Sequence, residues 1–298
     1  LPIPYINYDR SLEFQIGAMP MAMYKVNTVD TISPASISGV FGMYTTNKSW
    51  FALAFQRLYL NEDKWRLTAA AGVGSINFQT YAGAPLNQFI KYNTGLNFVY
   101  LEGQRRVFND FYLGLAYIYS EFGTEFTEEI KTPTKYMNGI GPVVSYDTRD
   151  DVYYPHHGSN SNGNWNSYPA FLGNDSTSNR VELDYTNYFS TREDKDVIVG
   201  RVYGGFGIGN VPFEQQFVVG REDIRGYSQG KYRGEQMMAI QGEYRWNFLE
   251  RWSVVGFAGV ATVFNTLGGE NDGAFLPGVG TGFRYNMVEK YHMNVVRW

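Results

Sequence analysis

Hydrophobic and polar residues alternate with a period of two along nearly the whole chain. Ile90 to Phe98 places Ile90, Tyr92, Thr94, Leu96 and Phe98 on one face and Lys91, Asn93, Gly95 and Asn97 on the other. Arg180 to Phe189 repeats the pattern, with Val181, Leu183, Tyr185 and Phe189 opposite Arg180, Glu182, Asp184 and Thr186. In a third segment Gln241, Glu243, Arg245 and Asn247 share one face, and Ile240, Tyr244, Trp246 and Phe248 share the other. Successive side chains of an extended strand point to opposite faces, so each segment predicts a strand with one apolar and one polar side.

Less clean alternation predicts further strands at 11–24, 34–45, 49–60, 65–79, 109–122, 135–147, 157–171, 196–210, 250–264, 277–287 and 291–298. Turn-like clusters separate them, such as Asn61-Glu62-Asp63-Lys64 and Thr191-Arg192-Glu193-Asp194-Lys195. No segment keeps a 3.6-residue period, and neither a fixed-period repeat nor a shift in composition divides the chain. One all-β domain over residues 1–298 is expected.

Strand length separates two all-β architectures. A soluble sandwich or propeller also alternates, but its strands cluster near about five or six residues. A tilted membrane strand needs about 9–11 residues within the bilayer alone. The segments at 11–24, 65–79 and 196–210 are long enough for the second case. The polar faces mix Arg, Glu and Asp with small Gly and Asn, as a wet lumen requires. The expected fold is a transmembrane antiparallel β-barrel whose polar faces turn inward.

Composition adds to this picture. The chain holds 24 Tyr and 21 Phe but only 18% charged residues, which suits pleated strands and aromatic girdles at two membrane interfaces. No run approaches eighteen apolar residues, so a spanning helix is excluded. With no cysteine, disulfides and thiolate metal sites are excluded as well. A net charge of −4 gives no reason to expect nucleic acid as a partner. Leu1-Pro2-Ile3-Pro4 reads as the start of a mature or trimmed product.

Candidate chemistry is sparse. Asp147, Arg149, Asp150 and Asp151 read as charges capping a turn, not as an acid–base pair. His156 and His157 are adjacent and diverge in extended geometry, while His292 stands alone. No metal, cofactor or catalytic centre is expected. Asn160, Asn162, Asn164 and Asn166 fall on one strand face and, with six Trp, also fit a soluble secreted carbohydrate-binding β protein. The same residues suit a hydrated lumen and interfacial belts.

Four motifs carry a family resemblance. They are Asp147-Thr148-Arg149-Asp150 with Pro155-His156-His157-Gly158, the loop motif Ile224-Arg225-Gly226-Tyr227, Gln241-Gly242-Glu243-Tyr244-Arg245, and Gly278-Val279-Gly280-Thr281-Gly282-Phe283-Arg284-Tyr285. In this order they resemble the BamA-like outer-membrane assembly superfamily, also called the bacterial surface antigen family. The chain is similar to a barrel-only member, without POTRA repeats or a patatin-type domain. Read from its residues alone, Ile224–Tyr227 is an ordinary exposed hairpin loop.

The resemblance implies a sixteen-strand barrel in the bacterial outer membrane. Counting Pro2–Tyr8 as a short first strand, fifteen are found here and the last is missing from the chain. It also implies that the loop over 211–233 folds into the lumen, with Gly226 allowing close approach and Tyr227 wedged on the wall. A periplasmic N-terminus places this loop at the outer end and the turn of Asp147, Arg149, Asp150, Pro155 and Gly158 at the periplasmic end. Gly259 stands where many relatives carry an acid facing the motif arginine, which leaves Glu243, with Arg245 beside it, as the candidate lumen partner of Arg225. The implied role is outer-membrane protein assembly or polypeptide translocation through edge addition at the barrel seam. Implied partners are outer-membrane lipids, other subunits of an assembly complex, and client barrels. A stand-alone pore for small solutes is the alternative.

Overall fold

Alternation translates directly into strands. The computed structural model describes residues 2–9, 12–82, 88–127, 130–131, 134–220, 224, 227, 232–266, 269, 271–288 and 293–297. The first strands are β1 (Pro2–Asp9), β2 (Glu13–Tyr24), β3 (Ser36–Thr45), β4 (Trp50–Leu60), β5 (Trp65–Ala82), β6 (Gln88–Phe108) and β7 (Phe111–Thr127). A two-residue piece, β8 (Ile130–Lys131), precedes β9 (Lys135–Asp147), β10 (Gly158–Tyr168), β11 (Ser178–Thr191) and β12 (Asp196–Gly209). A second short piece, β13 (Phe217–Val218), lies in the long connection before β14 (Arg233–Asn247), β15 (Trp252–Thr266), β16 (Leu276–Val288) and β17 (Met293–Arg297).

Apart from the two short pieces, fifteen strands form an antiparallel meander in which each pairs with the next. Among the described residues β1 and β17 do not pair with each other. Connections therefore alternate between two ends. The turn end carries 25–35, 61–64, 109–110, 148–157, 192–195 and 248–251. Among the described residues the loop end carries 46–49, 169–177, 210–220 and 271–275.

Burial is inverted relative to a soluble protein. On β14, Ile240 is 56% exposed on the outer face while Glu243 and Arg245 are each 7% exposed on the inner one. On β11, Leu183, Tyr185 and Phe189 point outward, and Arg180, Glu182 and Asp184 point inward. An apolar exterior over a charged interior is stable only where the surrounding solvent is hydrocarbon. The outward apolar band runs from Trp65 to Val73 on β5 and from Ile198 to Ile208 on β12, close to the ~9–11 residues a tilted strand needs. Exposed aromatics sit at both ends of the band. Trp65, Phe108, Phe189, Trp246 and Trp252 lie toward the turn end, and Tyr44, Trp50, Tyr136 and Trp165 toward the loop end.

Two sequence expectations need correction. First, the strand read at Ile90–Phe98 continues to Phe108, and its first half is turned the other way. Tyr92 is buried on the inner face, and Lys91 and Asn97 are exposed outside. This half lies beyond the apolar band, where the exterior is water; Asn93 there bonds Asn77 and Ser75 of β5. Past Phe98 the expected order returns, with Val99 and Leu101 outside and Gln104 buried inside. Second, Asp147 does more than cap a turn, because it takes part in a buried ionic network described below. The asparagines of β10 share the inner face, since Asn162 and Asn164 stand opposite Asp184 and Glu182.

Candidate functional site

The inner face is crossed at the loop end by the connection after β12. This connection carries an unusual amount of apolar sequence for a loop: Val211-Pro212-Phe213, then Phe217-Val218-Val219. A polar loop would run over the surface, but burying these side chains draws the backbone inward. A single 3-10 turn at Phe213–Gln215 leads into β13, which pairs with Gly234 and Arg233 of β14. Phe217 and Val219 are then fully enclosed. They join Ile224 in a cluster with Tyr203 of β12, Met237 and Ala239 of β14, Ala261 and Val263 of β15, and Leu276 of β16.

The other flank of this segment reaches across the lumen. The Phe213 ring packs on Tyr92 of β6 at 5.6 Å and on Phe126 of β7 at 6.1 Å between centroids. Glu214 accepts a hydrogen bond from Thr124 of β7 at 3.5 Å and pairs with Lys135 of β9 at 3.7 Å. Gln215 accepts from Ser178 of β11 at 3.0 Å. Two guanidiniums hold the backbone. Arg180 donates to the Gln215 carbonyl and lies 3.8 Å from the Phe217 ring centroid. Arg233 donates to the Phe213 carbonyl at 2.7 Å and lies 4.0 Å from the Phe213 ring centroid. Desolvated cation–π contacts of this kind contribute about 1–2 kcal/mol each. A glycine makes room: a Cβ at Gly205 would collide with the Phe217 ring.

Of the loop motif, Ile224 lies in the buried cluster. Tyr227 packs on Tyr232 at 5.6 Å, and its hydroxyl donates to the Pro277 carbonyl at 2.5 Å. Arg225 and Gly226 lie outside the described residues. The carboxylate of Glu243 is held by Arg245, two residues along the same inner face, at 2.6 Å. Arg284 of β16 approaches it at 3.9 Å. At position 259 a Cβ would lie 2.6 Å from the Ile240 carbonyl oxygen, so no acidic side chain fits there in this backbone.

The turn end is held by different chemistry. Arg66, at the start of β5, donates to Asp63 at 3.0 and 2.6 Å and to Asp147 at 2.8 Å. Arg149 forks onto the same Asp147 at 2.7 and 2.9 Å, and Tyr112 donates to Asp63 at 2.6 Å. The Arg66 guanidinium stacks 3.8 Å from the Tyr112 ring centroid. Every charge in this group is paired, which a buried network requires. Asp150 and Asp151 do cap the turn, accepting from the backbone amides of His156, His157, Tyr153 and Tyr154. Pro155 lies inside this turn, and Gly158, with φ +91, closes it against Thr148.

From there the turn reaches sideways in two directions. Tyr153 donates to the Ala35 carbonyl at 2.5 Å, and His157 lies 3.2 Å from Asp194. Burial holds His156 below the ordinary histidine pKa, although Asp150 beside it acts in the opposite direction. In loop 25–35 the hydroxyl and amide of Ser33 hold Asp30 well below the usual carboxylate range.

The sequence singles out Asp147, Arg149, Glu243 and Arg245, and carries Arg284 inside a motif without a role of its own, but it does not mark Arg66, Tyr112, Arg180, Phe213 or Phe217 as site residues. The apolar runs in the loop could have been read as a signal for Phe213 and Phe217. Arg66 and Asp147 stand 81 positions apart, and nothing local connects them.

The comparisons agree with this geometry. Residues 39–287 match the model of the Omp85 superfamily domain. Among solved structures, BamA from Haemophilus ducreyi lacking POTRA domains 1–3 superposes with a TM-score of 0.65 at 14% identity, over 96% of this chain and 63% of that one. CdiB from Escherichia coli gives 0.70 at 10% identity, over 95% and 55%. CdiB from Acinetobacter baumannii gives 0.63 at 14%, over 96% and 53%. The chain thus spans between about half and two thirds of the length of these neighbours. No curated protein matches it by sequence. With the family model covering most of its length, the chain belongs to the Omp85 superfamily and is a bacterial outer-membrane β-barrel protein.

Proposed function

We propose that this barrel works in outer-membrane protein assembly or polypeptide translocation, with its lumen plugged at rest by the 211–233 loop. The observation that carries this reading is the segment Phe213–Val219, anchored on β6 and β7 at one side and on β12, β14 and β15 at the other. A plugged lumen is of no use to a constitutive pore, and it suits a barrel whose working surface is its wall and edges. In this reading Arg225 seats on Glu243, which lies farther along the same inner face of β14 that holds Met237 and Ala239. A guanidinium enclosed there needs a carboxylate; Glu243 is the acid toward the turn end of that face, and Glu235 lies at its loop end. No chemical step is assigned to any residue. The work would be edge addition of an incoming strand at the barrel seam.

Other subunits of an assembly complex or partly folded client barrels are the expected company. Affinity purification of the native protein from detergent-solubilised outer membrane, followed by mass spectrometry, tests the proposal. Assembly subunits or unfolded barrels recovered with it support the role. Recovery of the chain alone, in repeated purifications under mild detergent, would contradict it and favour a self-sufficient pore.

A further inference from the structure

Among the described residues, the inner wall near the turn end holds more positive charge around Glu243 than that carboxylate balances. Arg245 of β14 and Arg284 of β16 flank β15 on the inner face, at register positions opposite Val255 and Ser253. Along the strands between them the inner-face positions are Val255 and Ser253 of β15 and Gly282 of β16. The acid in contact with them is Glu243, which Arg245 Nε already engages at 2.6 Å and Arg284 meets only at 3.9 Å. Three guanidinium nitrogens are left buried with no hydrogen-bond partner: Nη1 of Arg245, and Nε and Nη1 of Arg284. The Arg245 side chain is more than nine-tenths buried, and its guanidinium lies 5.4 Å from the Tyr188 ring centroid.

The contrast with Arg66 is informative. There every donor of the buried guanidinium that faces an acid is used, on two carboxylates. At Arg245 and Arg284 two cations share one acid. Water can accept from the orphaned N–H groups, but it cannot offset the surplus charge, and an uncompensated charge shielded from bulk water is costly. If Arg225 also seats on Glu243, the surplus grows.

We propose that Arg245 and Arg284 form an anion-binding site in the lumen wall that takes a carboxylate or phosphate group. An oxyanion with two or three acceptor oxygens matches what is missing here: charge, and acceptors spread across two forks. The position near the turn end makes the site reachable from the periplasmic side. Two sources carry this chemistry, the terminal carboxylate of a polypeptide and a phosphate-bearing molecule.

The test uses the full chain, purified in a zwitterionic detergent. Its apparent unfolding midpoint, read from the heat-modifiable gel band, is followed against increasing sodium phosphate, a short peptide with a free C-terminal carboxylate, and the same peptide amidated. Sodium chloride at equal ionic strength is the reference. The expected result is a rise of several degrees at millimolar phosphate or free-acid peptide, with none for the amide. A response to phosphate alone assigns the site to phosphate-bearing molecules, and a response to the free acid alone assigns it to chain termini. Arg284→Gln should shift the half-maximal concentration at least tenfold while the folded band persists. Arg284→Lys, which keeps the charge but loses the fork, covers the case in which the Gln variant does not fold, and should weaken the response several-fold. No anion-specific rise in the wild type, or an unchanged response in both variants, would overturn the proposal. The readout involves neither Arg225 nor a client, so failure here leaves the assembly reading untouched, and the converse also holds.

Discussion

The two ends of the inner face are held together by opposite means. At the loop end Phe213, Phe217, Val219 and Ile224 bury apolar surface against inward-facing side chains of several strands. At the turn end the contacts are ionic and directional, centred on Arg66, Asp63, Asp147 and Arg149. Apolar packing is tolerant of small shifts and depends on area. A buried ionic network tolerates little, because each lost partner leaves a charge uncompensated. The loop end is therefore suited to a segment that can leave and return as a unit, and the turn end to a fixed rim.

That contrast can be broken experimentally. The largest effect is expected from Arg66→Met, which strands Asp63 and weakens the hold on Asp147. Breaking a buried pair from one side costs about 3–5 kcal/mol. The folded band in a urea titration should show this as a loss of whole-barrel stability. Phe217→Ala removes a comparable area, about 3 kcal/mol by the usual cost of aromatic truncation. Its consequence should be local: residues 211–232 become sensitive to protease while the barrel band survives. If Phe217→Ala destabilised the whole barrel and Arg66→Met only its own turn, the assignment of movable and fixed ends would be reversed.

Smaller effects sharpen the picture. Asp30 has a folded-state pKa below its unfolded one. Its contribution is therefore present above the ordinary carboxylate range and is lost as pH falls through the lowered value. The protection factor of the amides in loop 25–35, corrected for the intrinsic pH dependence of exchange, should fall on acidification and stay flat from neutral to alkaline pH. At the far end of the scale, Asp194→Asn removes only an exposed contact to His157. It should change stability by less than about 1 kcal/mol.

Much of this architecture was legible in the sequence. The strand expected at 135–147 is β9 to the residue, and most others agree within a few positions, because alternation is a backbone-level signal. What alternation cannot say is which face is wet. On β6 the answer changes halfway, where the strand leaves the apolar band, and no residue in Ile90–Phe98 records that boundary. The turn-capping roles of Asp150 and Asp151 are local and were readable. The Arg66–Asp147 pair depends on β6 and β7 bringing two distant turns together, so it became visible only with the fold. The loop across the lumen was implied by family resemblance, whereas its anchors at Phe213 and Phe217 came from the structure.

The central claim is that the 211–233 loop plugs the lumen, and single-channel recording in planar bilayers addresses it most directly. The account predicts no steady conductance from the wild-type protein and persistent openings from Arg225→Ala. A wild type that already conducts steadily, with no increase on removing Arg225, would contradict it.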